Sequence, residues 1–276
     1  AVARELAVKG YVVTVYDSLP YGGGTLLMGV PAFRLPREAI EMDVRLVERL
    51  GVTFVFDTQI GVDIAFEDLQ RDFDAIAICA GAMNPVYLDI PGADLDGVLY
   101  GVDFMKRANL GQEVEVGQNV VVVGGGYTAM DCARTSLRFG ADNVTIAYRR
   151  TRSELVVDEE ELGETELEGV HMDFLVSPIE LLGEDGKLTQ IKFIRNKLGE
   201  PDASGRRSPV PIPGSEFTLP CDTIIPAVSQ AADLSFLPVE SSFEVNRGRI
   251  KHRRPGGRRP CVQVTLTYPF PKSQPH

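Results

Sequence analysis

The sequence predicts an α/β fold in which parallel strands alternate with helices, and two segments carry that prediction. Residues 119–126 have the apolar pattern of a strand, residues 127–140 that of a helix and residues 143–150 that of a second strand, which together make a complete βαβ unit. Residues 1–9 and 11–17 have the pattern of an amphipathic helix and a strand, as in the second half of another such unit. A chain of 276 residues is long enough for two domains.

Periodicity predicts the remaining elements. Helices are expected at 37–50, 66–70, 102–109 and 158–169, and strands at 52–56, 74–82, 170–176, 187–196 and 221–228. The strand at 187–196 precedes an exposed turn and is expected to be antiparallel. The helix at 158–169 is rich in carboxylates and is expected to be solvated, because its acids lack the alternating spacing of a calcium-binding loop.

The charge balance disfavours several classes of function. The chain has 28 basic and 39 acidic residues, and its net charge of -11 repels phosphate backbones and anionic lipid surfaces. The longest apolar run, Val120–Val123, is far shorter than the roughly 20 residues that span a bilayer. We therefore expect a cytoplasmic protein with no nucleic-acid or membrane partner, whose ligands are small or positively charged.

The cysteines and histidines indicate neither a metal site nor a redox dithiol. Cys79, Cys132, Cys221 and Cys261 are isolated in the sequence and form no C-x-x-C pair. We expect reduced, structural thiols, with Cys79 and Cys132 buried. A disulfide reductase is disfavoured because it needs paired cysteines beside its cofactor, and the three histidines form no catalytic constellation.

The segment from Gly124 to Ala129 has the best-defined functional pattern. Gly124, Gly126 and Ala129 occupy the positions of a G-x-G-x-x-G/A fingerprint between a strand and a helix. The first glycine permits a tight turn, the second lets a pyrophosphate approach the helix N-terminus, and the alanine permits close contact between helix and strand. The alternative is a glycine turn without a ligand. The predicted pyrophosphate site comprises Gly124, Gly125, Gly126, Tyr127, Thr128 and Ala129.

The end of the second strand in the same unit predicts which dinucleotide binds. An NAD-binding protein carries an acid there for the ribose 2′-hydroxyl, whereas this chain has Tyr148, Arg149 and Arg150. Two guanidinium groups suit a 2′-phosphate by charge and by bidentate hydrogen bonding. NADPH is therefore expected in preference to NADH. The alternative is that both arginines lie on a solvated strand end.

Residues 11–24 give weaker evidence that the protein binds a second dinucleotide. Asp17 ends a predicted strand where it would contact a ribose, and Gly23 and Gly24 lie in a glycine cluster that would let the backbone approach a cofactor. A turn acid and a glycine-rich loop occur in many proteins. These residues alone therefore leave flavin binding open.

Five segments together resemble the small-subunit family of glutamate synthase, which also includes the flavin-and-NADPH portion of dihydropyrimidine dehydrogenase. They are GGTLLMGVPAFRLP at 23–36, CAGA at 79–82, GGGYTAMDCARTSLRFGADNVTIAYRR at 124–150, EGVHMDFLVSPIEL at 168–181 and KLGEPDASGRR at 197–207. The similarity covers about residues 1–240, and the run from Gly124 to Arg150 is its most specific part.

The resemblance implies two Rossmann-like, three-layer dinucleotide-binding domains, with an NADPH domain inserted into the sequence of an FAD domain. The partial FAD domain would occupy residues 1–95 without its first βα unit, the NADPH domain residues 96–228, and the return to the FAD domain residues 229–245. Hydride would pass from NADPH to FAD, and electrons would leave through iron–sulfur clusters to a partner such as the glutamate synthase large subunit. The cofactors would carry the chemistry, so no catalytic side chain is assigned.

The resemblance also assigns cofactor contacts position by position. Asp17 matches the acidic ligand of the FAD ribose, Arg34 a polar contact in the flavin loop, and Arg149 and Arg150 the 2′-phosphate clamp. The other FAD contacts are expected at Gly23, Gly24 and Leu26 over the pyrophosphate and ring, at Ile60 beside the adenine, and at Ala80, Gly81 and Ala82 on a strand end.

The chain departs from the family pattern at both ends. The cysteine-rich iron–sulfur segment, the first FAD glycine turn and the late glycine–aspartate motif of the flavin site do not occur in it. We therefore expect a fragment of a longer protein, with iron–sulfur clusters only in the missing N-terminal segment and weak or absent flavin binding. Residues 246–276 are basic and proline-broken, and three interpretations stay open: an out-of-frame translation, which is favoured, a disordered tail, and an RNA-binding tail.

Three functions are compatible with these observations. The leading hypothesis is an NADPH-dependent flavoprotein reductase that delivers electrons to a partner subunit. The alternative among enzymes is the reductase portion of a dihydropyrimidine dehydrogenase. The alternative outside enzymes is a non-catalytic NADPH-binding scaffold subunit, which hydride transfer to bound FAD would exclude.

Overall fold

The computed structural model of the protein describes residues 1–201 and 205–238, together with the backbone of three short strands beyond them. The chain divides into two compact units. Unit 1 comprises Ala1–Leu27, Leu35–Asn84 and Ala231–His276, and unit 2 comprises Met28–Arg34 and Pro85–Gln230. Unit 2 is inserted in the sequence of unit 1, as the fold prediction expects. Most of the tail at 246–276, with its three open interpretations, lies outside the described residues.

The helices and strands follow the chain in this order. The helices are α1 (Val2–Val8), α2 (Thr25–Met28), α3 (Arg37–Arg49), α4 (Phe66–Asp72), α5 (Gly101–Asn109), α6 (Tyr127–Arg138) and α7 (Glu159–Leu167). The strands are β1 (Thr14–Tyr16), β2 (Thr53–Val55), β3 (Ile76–Ala77), β4 (Asn84–Pro85), β5 (Asn119–Val123), β6 (Asn143–Tyr148), β7 (His171–Phe174), β8 (Val176–Glu184), β9 (Lys187–Pro201), β10 (Arg207–Pro211), β11 (Phe217–Pro220), β12 (Thr223–Pro226), β13 (Gln230–Ala231), β14 (Glu244–Asn246), β15 (Arg249–Lys251) and β16 (Val264–Thr265). Within the described part of the chain, no helix has the length and apolar character needed to cross a membrane.

Unit 1 contains a short parallel ladder and a small apolar core. β1 pairs with β2 in parallel, with Val15 opposite Phe54. Helix α1 ends as the sequence predicts, because Gly10 takes a φ of 88° just past its last turn. Phe66 and Ile78 are buried in a core that includes Leu234 and neighbouring residues of the last described segment. The segment after residue 230 therefore packs on the same core as the segment around residue 70.

Two strands of unit 1 are shorter than the sequence predicts. The strand expected at 11–17 is Thr14–Tyr16, and Val12 before it is 96% exposed. The strand expected at 74–82 is Ile76–Ala77. Apolar and β-branched residues indicate that a segment fits a pleated surface, but a strand extends only where a neighbour pairs with it. The ladder between β1 and β2 spans three residue pairs, which limits both strands.

The centre of unit 2 is a four-stranded parallel sheet in the order β12-β5-β6-β7. Helices α5, α6 and α7 cover one face, where Val120 and Val122 of β5 pack against side chains that include Met130 and Leu162. Successive residues of a strand point to opposite faces, so Val121 and Val123 face the other side of the sheet. A strand that is apolar on both faces is buried on both, as the run of four valines predicts.

An antiparallel sheet covers the second face of the parallel sheet. Its strand order is β10-β9-β11, and β8 also pairs with β9. Ile191 and Phe193 of β9 pack with Val121 and Val123 of β5 in a second core. Unit 2 therefore has three layers, namely helices, parallel sheet and antiparallel sheet, which confirms the predicted Rossmann-like α/β class.

The prediction of one strand at 170–176 is wrong. β7 ends at Phe174, and Leu175 has a φ of 59°, in the left-handed region. β8 then begins at Val176 and pairs with β9 in the antiparallel direction. One left-handed residue thus transfers the chain from the parallel sheet to the antiparallel sheet, and nothing in its side chain signals this in the sequence.

The acidic helix α7 differs from the solvated helix that its composition predicts. Asp158 caps the helix by accepting a hydrogen bond from the Glu161 N–H at 2.8 Å. Glu161, Leu162 and Thr165 are 6%, 1% and 0% exposed. One face of the helix is therefore buried, and Glu161 and Glu164 pair with Arg134 of α6.

Replacement of Phe193 by alanine tests the packing of the antiparallel sheet on the parallel sheet. Phe193 is fully buried and stacks on Phe217 with 5.6 Å between ring centroids. We expect Phe193→Ala to lower the free energy of unfolding of unit 2 by about 3–5 kcal/mol, because it leaves a cavity in the core. Urea unfolding followed by circular dichroism measures the loss. Phe139→Ala, at a ring that is 42% exposed, is the control, and equal effects of the two changes would contradict this packing.

Candidate dinucleotide-binding site

The turn from Gly124 to Gly126 lies at the carboxyl end of the parallel sheet. β5 runs into this turn, and α6 begins at Tyr127 immediately after it. In the sheet order, β6 lies on one side of β5 and β12, which follows much later in the chain, lies on the other, so the strand order reverses beside β5. A crevice outside the carboxyl ends of strands at such a reversal is where open α/β sheets bind ligands.

The first two glycines of the turn are required by close packing. A side chain at Gly124 would lie 2.7 Å from the carbonyl oxygen of Ala227 and 3.2 Å from the Ala129 Cβ. A side chain at Gly125 would overlap the aromatic ring of Tyr148. Glycine at both positions therefore allows the turn to sit directly on β12, α6 and the end of β6.

The third glycine has no such neighbour. A Cβ at Gly126 would meet only Val156, at 3.6 Å, and Gly126 has φ of -116° and ψ of 177°, which other residues also adopt. Packing within the protein therefore does not require glycine here. Open space beside the backbone that begins α6 suits a ligand that approaches the backbone closely.

The N-terminus of α6 is able to bind an anion. The first N–H groups of any helix lack intrahelical acceptors and carry the positive end of the helix dipole. Ala129 is fully buried and donates its backbone N–H to the Gly126 carbonyl at 2.9 Å, while Thr128 is half-buried. Tyr127 is 47% exposed and donates its hydroxyl to Asp158 at 2.7 Å. The arrangement suits a pyrophosphate, which is held by backbone N–H groups rather than by charged side chains.

The two arginines that follow β6 occupy different environments. Arg149 is exposed, whereas Arg150 is 3% exposed and donates its Nε–H to the Arg207 carbonyl at 2.7 Å. Tyr148 lies beneath Gly125 and donates its hydroxyl to the Glu154 carbonyl at 2.9 Å. The structure therefore does not place the predicted pair side by side at the surface, and Arg149 is its exposed member.

The predicted FAD contacts near the start of the chain lie in unit 1. Asp17 directly follows β1, and its carboxylate accepts the Leu19 N–H at 3.1 Å. Partial burial raises the pKa of Asp17, and this hydrogen bond opposes the rise. Gly23 packs against Ile40 with a φ of 127°, while Gly24 has a φ of 52° and open space where a side chain would be. Leu26 is 54% exposed.

The other predicted FAD contacts in unit 1 are Ile60 and the segment from Ala80 to Ala82. Ile60 is half-buried at the edge of the core around Phe66. Ala80 and Gly81 are exposed, Ala82 is half-buried, and a side chain at Gly81 would meet nothing within 4 Å. The open space beside Gly24 and Gly81 is compatible with a flat cofactor.

The prediction that Cys79 is buried is wrong. Cys79 follows the short strand β3 and is exposed, because the expected strand ends before reaching it. Cys132 and Cys221 are buried as thiols, which agrees with the prediction for Cys132. Burial raises the pKa of Cys221 to about 12, so this thiol stays protonated. Cys261 lies outside the described residues.

Arg34, predicted as a polar contact in the flavin loop, belongs to unit 2. Its guanidinium forms short ion pairs with Asp131 of α6 and with both carboxylate oxygens of Glu161 in α7. The short segment Met28–Arg34 is also held by Asn109, whose side chain donates to the Met28 carbonyl at 2.8 Å. These contacts occupy the Arg34 guanidinium within unit 2.

The charged cluster to which Arg34 belongs is not among the sites predicted from the sequence. Arg134 is 6% exposed and donates to Glu168 at 2.7 Å, and Arg138 donates to the same carboxylate at 2.6 Å. Phe33 lies under these arginines, with the Arg138 guanidinium carbon 4.1 Å from its ring centroid. The sequence did contain one sign of this cluster, because Arg134 and Arg138 are four residues apart on α6 and an acidic helix follows.

The ionisation of these acids depends on their arginine partners. Burial raises the pKa of Asp131 despite the charge of Arg34. Burial also opposes ionisation of Glu161, but the hydrogen bonds and charge of Arg34 outweigh it and lower the pKa. Hydrogen bonds from Arg138 and Arg134 lower the pKa of Glu168 to about 2. In the described part of the chain, no group of three or more acids, cysteines and histidines is arranged to hold a metal ion.

The three-layer unit, its glycine turn and the helix that follows define a dinucleotide-binding α/β protein. The chain belongs to the pyridine nucleotide-disulphide oxidoreductase family, whose family model matches residues 1–254. This membership confirms the resemblance on which the domain arrangement was predicted.

Two relatives and one solved structure show the range of the similarity. The β subunit of the NADP(+)-dependent formate dehydrogenase of Moorella thermoacetica is 46% identical over 85% of this chain and 34% of its own length. The glutamate synthase [NADPH] small chain of Halomonas elongata is 38% identical over 81% of this chain and 49% of its own length. FprA from Mycobacterium tuberculosis has a TM-score of 0.73 and 22% identity, over 93% of this chain and 72% of its own. The chain thus spans between a third and a half of the length of these relatives, and the likeness to FprA shows the fold.

Alanine substitutions at two neighbouring glycines test close packing and ligand binding separately. Gly125→Ala would force Cβ into Tyr148, so we expect a loss of roughly 1–3 kcal/mol in the free energy of unfolding together with lost nucleotide binding. Gly126→Ala meets only Val156, so stability should stay within about 0.5 kcal/mol of wild type. NADPH binding should still weaken tenfold or more. Unfolding curves and calorimetric titrations measure the two effects, and unchanged NADPH binding in Gly126→Ala would exclude a ligand at this backbone.

The Glu168 ion pairs predict a pH-dependent contribution to stability. The folded-state pKa lies below the ordinary value of 4.5, so the contribution is fully present above about pH 5 and decreases as pH falls towards 2. Glu168→Gln should lower the free energy of unfolding by roughly 1–3 kcal/mol at pH 7 and by progressively less from pH 5 to pH 3. Urea unfolding at several pH values measures this difference. A difference that is constant across the range would contradict the ion pairs.

Proposed function

We propose that the chain is the NADPH-binding part, with a portion of the FAD-binding part, of a flavoprotein reductase. The observation that carries the proposal is the turn at the carboxyl end of β5, where Gly124 and Gly125 pack tightly and the backbone at Gly126 lies open. Family membership and relatives named for NADP(+) or NADPH support the choice of nucleotide.

The residues of unit 2 have separate tasks in this proposal. The N–H groups at the start of α6 bind the pyrophosphate, and Ala129 lets the helix begin directly against β5. Tyr148 supports the turn from below. Arg149 extends from the end of β6 into solvent, where a cation selects a nucleotide with a 2′-phosphate. None of these groups transfers a proton to the ligand or forms a covalent bond with it.

In unit 1 we propose that Asp17, Gly24 and the exposed segment from Ala80 to Gly81 contact FAD. Asp17 would accept hydrogen bonds from ribose hydroxyls, and the two glycines have open space beside their backbone. Gly23, Leu26, Ile60 and Ala82 stay candidates from the family resemblance. Bound FAD would accept hydride from NADPH and release electrons to an acceptor, while the protein binds and orients both nucleotides.

The electron acceptor is proposed to be a second subunit. Both relatives are named as subunits or chains of larger enzymes, and a glutamate synthase large subunit is one candidate for the acceptor. The formate dehydrogenase β subunit is 46% identical to this chain, against 38% for the glutamate synthase small chain, which favours an acceptor subunit of another enzyme class. Purification of the whole protein with its native partner distinguishes these candidates.

Anaerobic mixing of the FAD-reconstituted chain with NADPH tests the proposal. We expect loss of the visible absorbance of oxidised flavin, faster with NADPH than with NADH and slowed by Arg149→Ala. The control is Arg195→Ala, which removes an arginine of equal charge from β9. Binding of NADPH without reduction of the flavin that is bound to the chain would contradict the reductase and support the nucleotide-binding scaffold. Absence of NADPH binding would contradict both.

A further inference from the structure

Four arginines lie at the corner where β6 ends. Arg149, Arg150 and Arg152 belong to the segment after β6, and Arg207 begins β10 of the antiparallel sheet. Arg207 reaches this corner because its backbone carbonyl accepts the Arg150 Nε–H at 2.7 Å. The antiparallel layer, which lies far along the chain, therefore contributes a cation next to the two arginines expected to recognise a 2′-phosphate.

Two of the four arginine side chains make contacts away from the exposed surface of this corner. Arg150 is 3% exposed, and its contact with the Arg207 backbone fixes the position of β10. Arg152 turns towards α7, where it pairs with Glu166 at 2.7 Å and with Glu159 at 3.1 Å. Arg149 and Arg207 are the two whose side chains extend into solvent at the end of β6.

The Arg207 side chain is half exposed and is held by a single carboxylate. Its Nε and Nη2 groups both donate to one oxygen of Glu154, at 2.8 and 2.7 Å. The second oxygen of Glu154 accepts the Thr151 N–H at 3.2 Å and the Thr151 hydroxyl. The guanidinium therefore does not use its two parallel N–H groups on two oxygens, which is the stronger geometry that a phosphate offers.

We propose that Arg207, together with Arg149, binds the 2′-phosphate of NADPH, and that the phosphate replaces Glu154 as the partner of Arg207. The inference deepens the proposed function and rests on it. A phosphate monoester carries more negative charge than a carboxylate and presents more acceptor oxygens, so the exchange favours the ligand. Arg150 is a positioning residue in this account, because it holds the backbone of Arg207 rather than the nucleotide.

Glu154 competes with the 2′-phosphate for Arg207, and a nucleotide without this phosphate does not displace the carboxylate. With NADH the Glu154–Arg207 pair stays closed, and a ribose 2′-hydroxyl gains no contact with Arg207. With NADPH the pair opens, and Glu154 keeps its hydrogen bonds to Thr151. Selectivity therefore depends on Arg207, whose ion pair with Glu154 opens only for a nucleotide that carries a 2′-phosphate.

Calorimetric titration of NADPH and NADH into the full chain tests this inference in five variants, one of which is Arg149→Ala. Arg207→Ala retains the backbone carbonyl that Arg150 needs, so the fold should survive, as circular dichroism will check. We expect the affinity ratio of NADPH to NADH to fall about tenfold or more in Arg207→Ala, with NADH affinity unchanged. Glu154→Gln removes the competing charge and should raise NADPH affinity several-fold. Arg152→Ala and Arg195→Ala should leave the ratio at the wild-type value.

Two results would overturn the role of Arg207, and one of them would also overturn the proposed function. A ratio that falls in Arg149→Ala but stays at the wild-type value in Arg207→Ala and Glu154→Gln would overturn the role of Arg207 and leave the proposed function intact. A wild-type chain without preference for NADPH would overturn both.

Discussion

The close packing of the turn after β5 is the constraint on which the rest of unit 2 depends. Gly124 lies against the Ala227 carbonyl after β12, and Gly125 lies against the Tyr148 ring at the end of β6. Three strands of the parallel sheet therefore meet at a turn that tolerates no side chain. The backbone at Gly126 is left open as a consequence, and α6 begins there with its N–H groups directed out of the sheet.

The two faces of the parallel sheet support this turn in different ways. On the helical face, ion pairs join α6 to α7 through Arg134, Arg138 and Glu168, so the helix that begins at the turn is fixed along its length. On the other face, the antiparallel sheet reaches the end of β6 through the contact between Arg150 and the Arg207 backbone. The glycine turn and the end of β6 are thereby held in one rigid corner of unit 2.

Much of this arrangement could be predicted because it depends on local pattern. The run of valines in β5, the glycine spacing and the helix from Tyr127 are properties of neighbouring residues, and the structure has them where they are expected. The break at Leu175, the burial of Arg150 and the charged cluster around Arg34 depend on residues from 27 to 127 positions apart or on a single backbone angle. Periodicity reports which residues are buried and does not report which partner buries them. The exposure of Cys79 could not be predicted for a similar reason, because it depends on where strand pairing stops.

The most direct test of the account is hydrogen–deuterium exchange of the chain with and without NADPH. We predict slower exchange on NADPH addition in two segments, residues 124–130 at the start of α6 and residues 149–154 at the end of β6. The same experiment with NADH should protect the first segment more than the second. Unchanged exchange at 124–130 under saturating NADPH would contradict the assignment of the glycine turn as the nucleotide site.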